Sequence, residues 1–202
     1  NNMISFTEYI QNNYNMPVDN LKINEALKGI RYCIENKIPI LLMGNGGSAF
    51  SSAHFAQDIN KVLGGNAFSL TDNYGLITAI ANDYDYEEIF SFQIENFALN
   101  NSFPVKKIPL IIAISCSGQS KNILNAVKYS RNIRYPVLSF TGNDGGKLAE
   151  LSNLNINIPS DNIYAVESTH SILFHYFIDT LNNGDNDNDI VFVDTLENND
   201  SI

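Results

Sequence analysis

Tryptophan is missing altogether, cysteine occurs only as Cys33 and Cys116, and Lys and Arg together number 12 against 22 Asp and Glu. Each shortage excludes something. Two cysteines build no disulfide framework and neither stands in a metal-type Cys pair, so the expected setting is a reducing cytoplasm. No stretch approaches the roughly 18 to 20 apolar residues of a membrane span. The first residues also lack the basic patch and apolar core of a secretion signal. A formal net charge of -10 argues against a nucleic-acid partner, because a grip on phosphate backbones needs clustered Lys and Arg. The same deficit means that an anionic ligand must be held by local donors, not by the overall field.

What remains is ordinary for an enzyme: 202 residues, 44% hydrophobic and 17% charged, suffice for one well-buried domain with an added helical arm. Two loops stand out. Gly44-Asn45-Gly46-Gly47-Ser48 and Ser115-Cys116-Ser117-Gly118-Gln119-Ser120 each follow an apolar run and each open a helical segment. A helix start leaves backbone N–H groups unpaired and partly positive, glycines let an anion approach the main chain, and serine hydroxyls add donors. Asn45, Gly46, Gly47, Ser48, Ser115, Cys116, Ser117 and Ser120 are therefore expected to line a site for a phosphorylated small molecule.

Along the chain, residues 4–14 and 19–36 carry helical spacing and are read as an N-terminal arm, residues 1–36. Residues 37–182 follow as one α/β domain. Short apolar runs at 39–43, 67–70, 108–114, 136–140 and 155–158 read as buried parallel strands. Helices are expected between them at 48–61, 84–99 and 120–132, with a short one after the Thr141–Gly146 turn. This alternation predicts a three-layer, doubly wound parallel sheet flanked by helices. Ligands of such sheets sit beyond the strands' carboxyl ends, where both serine loops fall.

The helix at 163–182 is apolar nearly all round but crossed by a ribbon of Glu167, Ser171, His175 and Asp179 at four-residue steps. A polar stripe on a buried helix requires partners. His54 and Asp58, also four apart, would stand about 6 Å apart along a helix and can point at one ion. Glu167 and His175 would stand about 12 Å apart along their axis and some 80° around it, so they share an ion only by leaning together or across a subunit boundary. Residues 183–202 read as an acidic, flexible tail with an apolar island at 190–193.

Gly44–Ser48 with His54-Phe55-Ala56, then Thr78–Tyr84, then Ser115–Ser120, then Thr141–Ala149 resemble, in order, the blocks of the phosphoheptose isomerases, a group of sugar isomerase (SIS) domain proteins. The resemblance implies an SIS-type fold, a homotetramer, and conversion of sedoheptulose 7-phosphate to a manno-heptose 7-phosphate, usually with zinc. It carries phosphate contacts onto Ser48, Ser115, Ser117 and Ser120, and sugar contacts onto Asn45 and Asp83. Metal and acid/base roles fall on His54, Asp58, Glu167 and His175, with Asp58 and His175 expected to do the proton work. This chain has Asp58 where the family has Glu, and Glu167 where it has Gln. Val62 and Ala165 replace basic residues, for which Lys61, Lys121 and Lys147 are the candidate substitutes.

The chemistry agrees with that resemblance. Aldose–ketose exchange moves a proton between neighbouring carbons through an enediol, needing one group for the carbon-bound proton and another for the oxygens. A metal would polarise the carbonyl as a Lewis acid. Two His and two carboxylates suit zinc, and manganese or iron would also fit. Two other readings stand beside this one: an isomerase or binder of a different sugar phosphate, and a non-catalytic SIS-fold regulatory partner.

Overall fold

A computed structural model describes residues 5–14, 17–99 and 107–183. The chain opens with α1 (Phe6–Asn13) and α2 (Asn20–Glu35), whose Ile23, Ala26, Leu27, Ile30 and Cys33 join the main core. Ser5 caps α1 through a reciprocal box with Glu8, and the Asp19 carboxylate accepts from Leu21 N and Lys22 N at the start of α2. The α/β unit then runs β1 (Ile40–Gly44), α3 (Gly47–Leu63), β2 (Ala67–Ser69), α4 (Tyr74–Asp83), a 3-10 turn at Tyr86–Glu88 and α5 (Ser91–Leu99). It continues with β3 (Leu110–Ser115), α6 (Lys121–Asn132), β4 (Val137–Gly142), α7 (Gly146–Leu151), β5 (Leu154–Ile158) and α8 (Ile163–Asn183).

All strand pairings are parallel, in the order β2-β1-β3-β4-β5. The chain reverses its direction of travel across the sheet between β1 and β3, so a crevice opens at their carboxyl ends. Pleating divides the core. Ile40, Leu42, Ile112, Ile114, Leu138 and Phe140 face α2, α3 and α8, while Leu41, Met43, Ile111, Ala113 and Val137 face the helices on the other side. Both faces are covered, as the sequence pattern predicts for a three-layer sheet.

One expectation fails. The helix predicted over 84–99 is broken: Asp85 is extended, its carboxylate caps the 3-10 turn through Glu87 N, and α5 starts only at Ser91. Conversely, α4 was not anticipated, because Gly75, Thr78 and its β-branched isoleucines weaken the helical signal; Asn73 starts it by accepting from Leu76 N. The island at 190–193 and the rest of the tail beyond Asn183 lie outside the described residues.

α8 locks onto α3 and the sheet through rings. Phe174 stacks on Phe55 with centroids 4.5 Å apart and meets Phe140 edge-on at 4.9 Å. His170 is packed in the same layer, 1% exposed, with Nε2 3.1 Å from the Thr141 carbonyl oxygen and Nδ1 without a hydrogen-bond partner among the described residues. Burial pushes its pKa down to about 4, the carbonyl opposing only in part.

Because the folded pKa lies below the ordinary histidine value near 6.5, the unfolded chain binds the proton more readily. The stability this group confers is complete above about pH 6.5 and is lost as pH falls toward 4, by on the order of 3 kcal/mol. Urea unfolding of the wild type and His170→Gln between pH 4 and 7.5 is expected to show a steeper acid loss in the wild type; parallel curves would refute the assignment.

Candidate active site

The two serine loops lie side by side at the carboxyl edge of β1 and β3. Ser48, 5% exposed in the first turn of α3, has its Oγ 4.0 Å from Cys116 Sγ of the second loop. Asn45 and Asn122 join the loops again by a reciprocal amide pair, each Nδ2 donating to the other's Oδ1 at 2.9 Å. Within the second loop Ser115 Oγ donates to Ser120 Oγ at 3.3 Å, and Ser117 Oγ accepts from Gln119 N at 3.2 Å. Burial pushes the Cys116 thiol up, and the Glu167 carboxylate adds to the rise against the Ser48 hydroxyl. The thiol is therefore protonated at neutral pH.

Backbone packing fixes the second loop. Gly118 has φ +61°, and a Cβ there would run into the Gly145 carbonyl oxygen. Its own carbonyl accepts from Leu148 N at 3.0 Å, while the Cys116 carbonyl accepts from Gly142 N at 2.9 Å. The Thr141–Gly146 turn thus buttresses the loop from behind.

The polar ribbon of α8 finds its partners on α3, which runs alongside it in the same direction. Glu167 lies on Gly47, with both carboxylate oxygens 2.6 Å from where a Cβ of that residue would stand. One turn on, Ser51 Oγ is 3.4 Å from Ser171 Oγ. Further along, the His54 and His175 rings meet with centroids 5.2 Å apart at 75°. His54 Nε2 lies 3.3 Å from Asp58 Oδ2.

His54, Asp58 and His175 thereby bring one donor atom each within 4.8 Å of one another, with both histidines exposed. Two imidazoles and a carboxylate are a donor set that could hold a divalent transition metal. Glu167 does not join them. Its carboxylate stays at the start of α3, where a negative group is favoured by the helix end.

Of the remaining expected residues, Asp83 is exposed at the end of α4, where it accepts from Asn82 Nδ2 at 2.8 Å. Lys121 does not stand free for an anion: its Nζ pairs with Glu87 at 2.8 Å. Two participants escaped the sequence reading, Asn122 and Tyr86, whose hydroxyl donates to Asn45 Oδ1 at 3.0 Å. For Asn122 a signal existed: it shares a helical face with Ala126 and Ser130, all buried, so its amide had to find a partner inside.

The SIS domain family matches residues 9–142, more than half of the chain. A phosphoheptose isomerase of Helicobacter pylori is 37% identical over 168 residues, covering 79% of this chain and 84% of that protein. One from Aliarcobacter butzleri is 35% identical over 155 residues, 74% and 78% of the respective chains. The chain belongs to the phosphoheptose isomerase family. Among solved structures, the phosphoheptose isomerase of Francisella tularensis superposes with a TM-score of 0.71 at 30% identity, over 81% of this chain and 86% of that one. That of Neisseria gonorrhoeae gives 0.71 at 29% identity, with the same coverage. Asp58 lies inside the His–Asp–His group and Glu167 outside it.

The interlocked glycines generate a stability test. Gly118→Ala, combining a left-handed backbone with a collision against a neighbouring main chain, is expected to lower unfolding free energy by about 2–4 kcal/mol. Gly29→Ala, inside α2 with nothing within 4 Å of the new methyl group, should raise it by about 0.5–1 kcal/mol. Denaturant midpoints of the two variants check both signs.

Proposed function

We propose that the protein is a metal-assisted aldose–ketose isomerase that converts sedoheptulose 7-phosphate to D-glycero-D-manno-heptose 7-phosphate through an enediol, as a cytoplasmic zinc enzyme. The observation that carries this reading is the convergence of His54, Asp58 and His175 on α3 and α8, with α3 beginning at the first serine loop.

The spacing accommodates a seven-carbon substrate. His54 lies seven residues beyond Gly47 on α3, about 10 Å at the helical rise. A seven-carbon chain ending in a phosphate ester spans on the order of 10 Å at ordinary bond lengths. With the phosphate at the loops, the first two carbons reach the histidines. Ser48, Ser115, Ser117 and Ser120 donate to the phosphate, aided by backbone N–H groups at the start of α6, since the start of α3 is taken by the Glu167 carboxylate. Asn45 and Asp83 hold sugar oxygens.

His54, Asp58 and His175 would hold the metal, which when bound would polarise the substrate carbonyl. Asp58 takes the carbon-bound proton and returns it to the neighbouring carbon, and His175 moves the proton between the two oxygens. Asp58 is one methylene shorter than the family's Glu, so the substrate carbon must come about 1 Å closer to α3 than in those relatives, a displacement large enough to matter to rate. Glu167 lies nearer the phosphate end.

Exposed aromatic side chains support an oligomer reading. Phe50 on α3 is 81% exposed, and Tyr74 and Tyr84 at the two ends of α4 are 80% and 67% exposed. We propose a homotetramer with these side chains at its contacts.

Purified protein is expected to convert sedoheptulose 7-phosphate, to lose activity to a chelator and to regain it with zinc. No turnover of that substrate or of any six-carbon ketose phosphate would overturn the enzyme reading. Asp58→Asn and His175→Ala should each lower kcat/KM by about 100-fold or more. Full activity in either variant would remove that residue from the chemistry. Sedimentation at micromolar concentration is expected to give four chains per particle; a monomer would refute the assembly.

A further inference from the structure

The amide pair between the two loops fixes more than their spacing. Asn122, 3% exposed in the first turn of α6, accepts the backbone N–H of Ile123 on its Oδ1 at 2.9 Å. A backbone N–H only donates, so this contact decides which end of the Asn122 amide is oxygen. The opposite end, Nδ2, must then face Asn45. There it donates to Asn45 Oδ1, while Asn45 Nδ2 donates back to Asn122 Oδ1, both at 2.9 Å. Reversing Asn45 would set oxygen against oxygen and N–H against N–H.

Tyr86 closes the remaining freedom. Its hydroxyl donates to Asn45 Oδ1 at 3.0 Å, so both lone pairs of that oxygen are taken. The 3-10 turn carrying Tyr86 is itself tied to α6, through Lys121 Nζ to Glu87 at 2.8 Å and Asn125 Nδ2 to Glu88 Oε1 at 3.2 Å. Among the described residues the Asn45 side chain keeps one unspent hydrogen-bonding group, the second N–H of Nδ2, and as a half-buried residue it can offer that group to the crevice.

We propose that Asn122 and Tyr86 are positioning residues that hold Asn45 as a one-proton donor, so that at this point the site takes only an acceptor oxygen of the ligand, such as a carbonyl, enediolate or phosphate oxygen. The inference rests on the isomerase reading for the ligand's chemistry but not for the polarity of the amide. Asn45 touches the substrate; Asn122 and Tyr86 act through it.

The test uses the full-length chain labelled with ¹⁵N-asparagine, together with Asn45→Ala, Asn122→Ala, Tyr86→Phe and Asn45→Ala/Asn122→Ala. In the wild type the Asn45 side-chain amide, identified by its loss in Asn45→Ala, is expected to show two well-separated protons, one of them hydrogen-bonded. Asn122→Ala should merge them toward the values of a free amide. An unchanged Asn45 signal overturns the inference whether or not the protein turns over any sugar phosphate.

In the isomerase assay Asn122→Ala is expected to lose about tenfold in kcat/KM and Tyr86→Phe about threefold, with zinc content unchanged. The double variant should be no worse than Asn45→Ala alone. Multiplying losses would show that Asn122 does not act through Asn45 and would refute the proposal. Asn122→Asp, which keeps the shape and the Ile123 contact but turns oxygen toward Asn45, should reproduce the loss if the alanine variant folds poorly. Activity absent from the wild type would instead count against the isomerase reading, leaving the amide spectrum to decide this one.

Discussion

The register of α8 on α3 is the constraint from which the site follows. Phe174 stacked on Phe55, with Phe140 of the sheet beneath, sets how far one helix stands along the other. Once those rings are seated, Glu167 meets Gly47, Ser171 meets Ser51 and His175 meets His54. Large-area aromatic burial thus orders a polar seam that could not order itself, since exposed imidazoles and carboxylates gain little from pairing in water. The histidines are held by the apolar contacts one residue to either side of them.

The same seam shows how electrostatics is distributed in an acidic chain. Lys121 is committed to Glu87, and the beginning of α3 already carries the Glu167 carboxylate. What is left for an anionic ligand is a set of neutral donors, hydroxyls and main-chain N–H groups, arranged where charge-assisted hydrogen bonds are strongest. Gly47 takes a different meaning in this light. The sequence marks it as a place where a ligand nears the backbone, whereas in the structure its missing side chain makes room for a carboxylate of the same chain.

Much of this was legible in the residues. The strands announce themselves because buried parallel strands are short, apolar and bounded by turns, and the two loops because strand, glycine and helix occur in immediate succession. The spacing of His54 and Asp58 on one helix is likewise a local fact. Glu167 is the opposite case: helical geometry placed it about 12 Å from His175 along their axis, but only the packing of α8 on α3 decides which neighbour it meets. The broken helix after Tyr84 and the unforeseen α4 were hidden for a related reason, since Asp85 and Asn73 act by capping, a choice that propensity alone does not reveal. The Asn45–Asn122 pair spans two segments far apart in sequence, and no window of one segment contains it.

The interlock of Gly118 with Gly145 has a thermodynamic consequence. Main chain packed against main chain restricts the backbone of the second serine loop before anything arrives. A guest that binds there freezes few torsions of its host, and the loss of conformational entropy that usually erodes recognition by flexible loops is largely avoided.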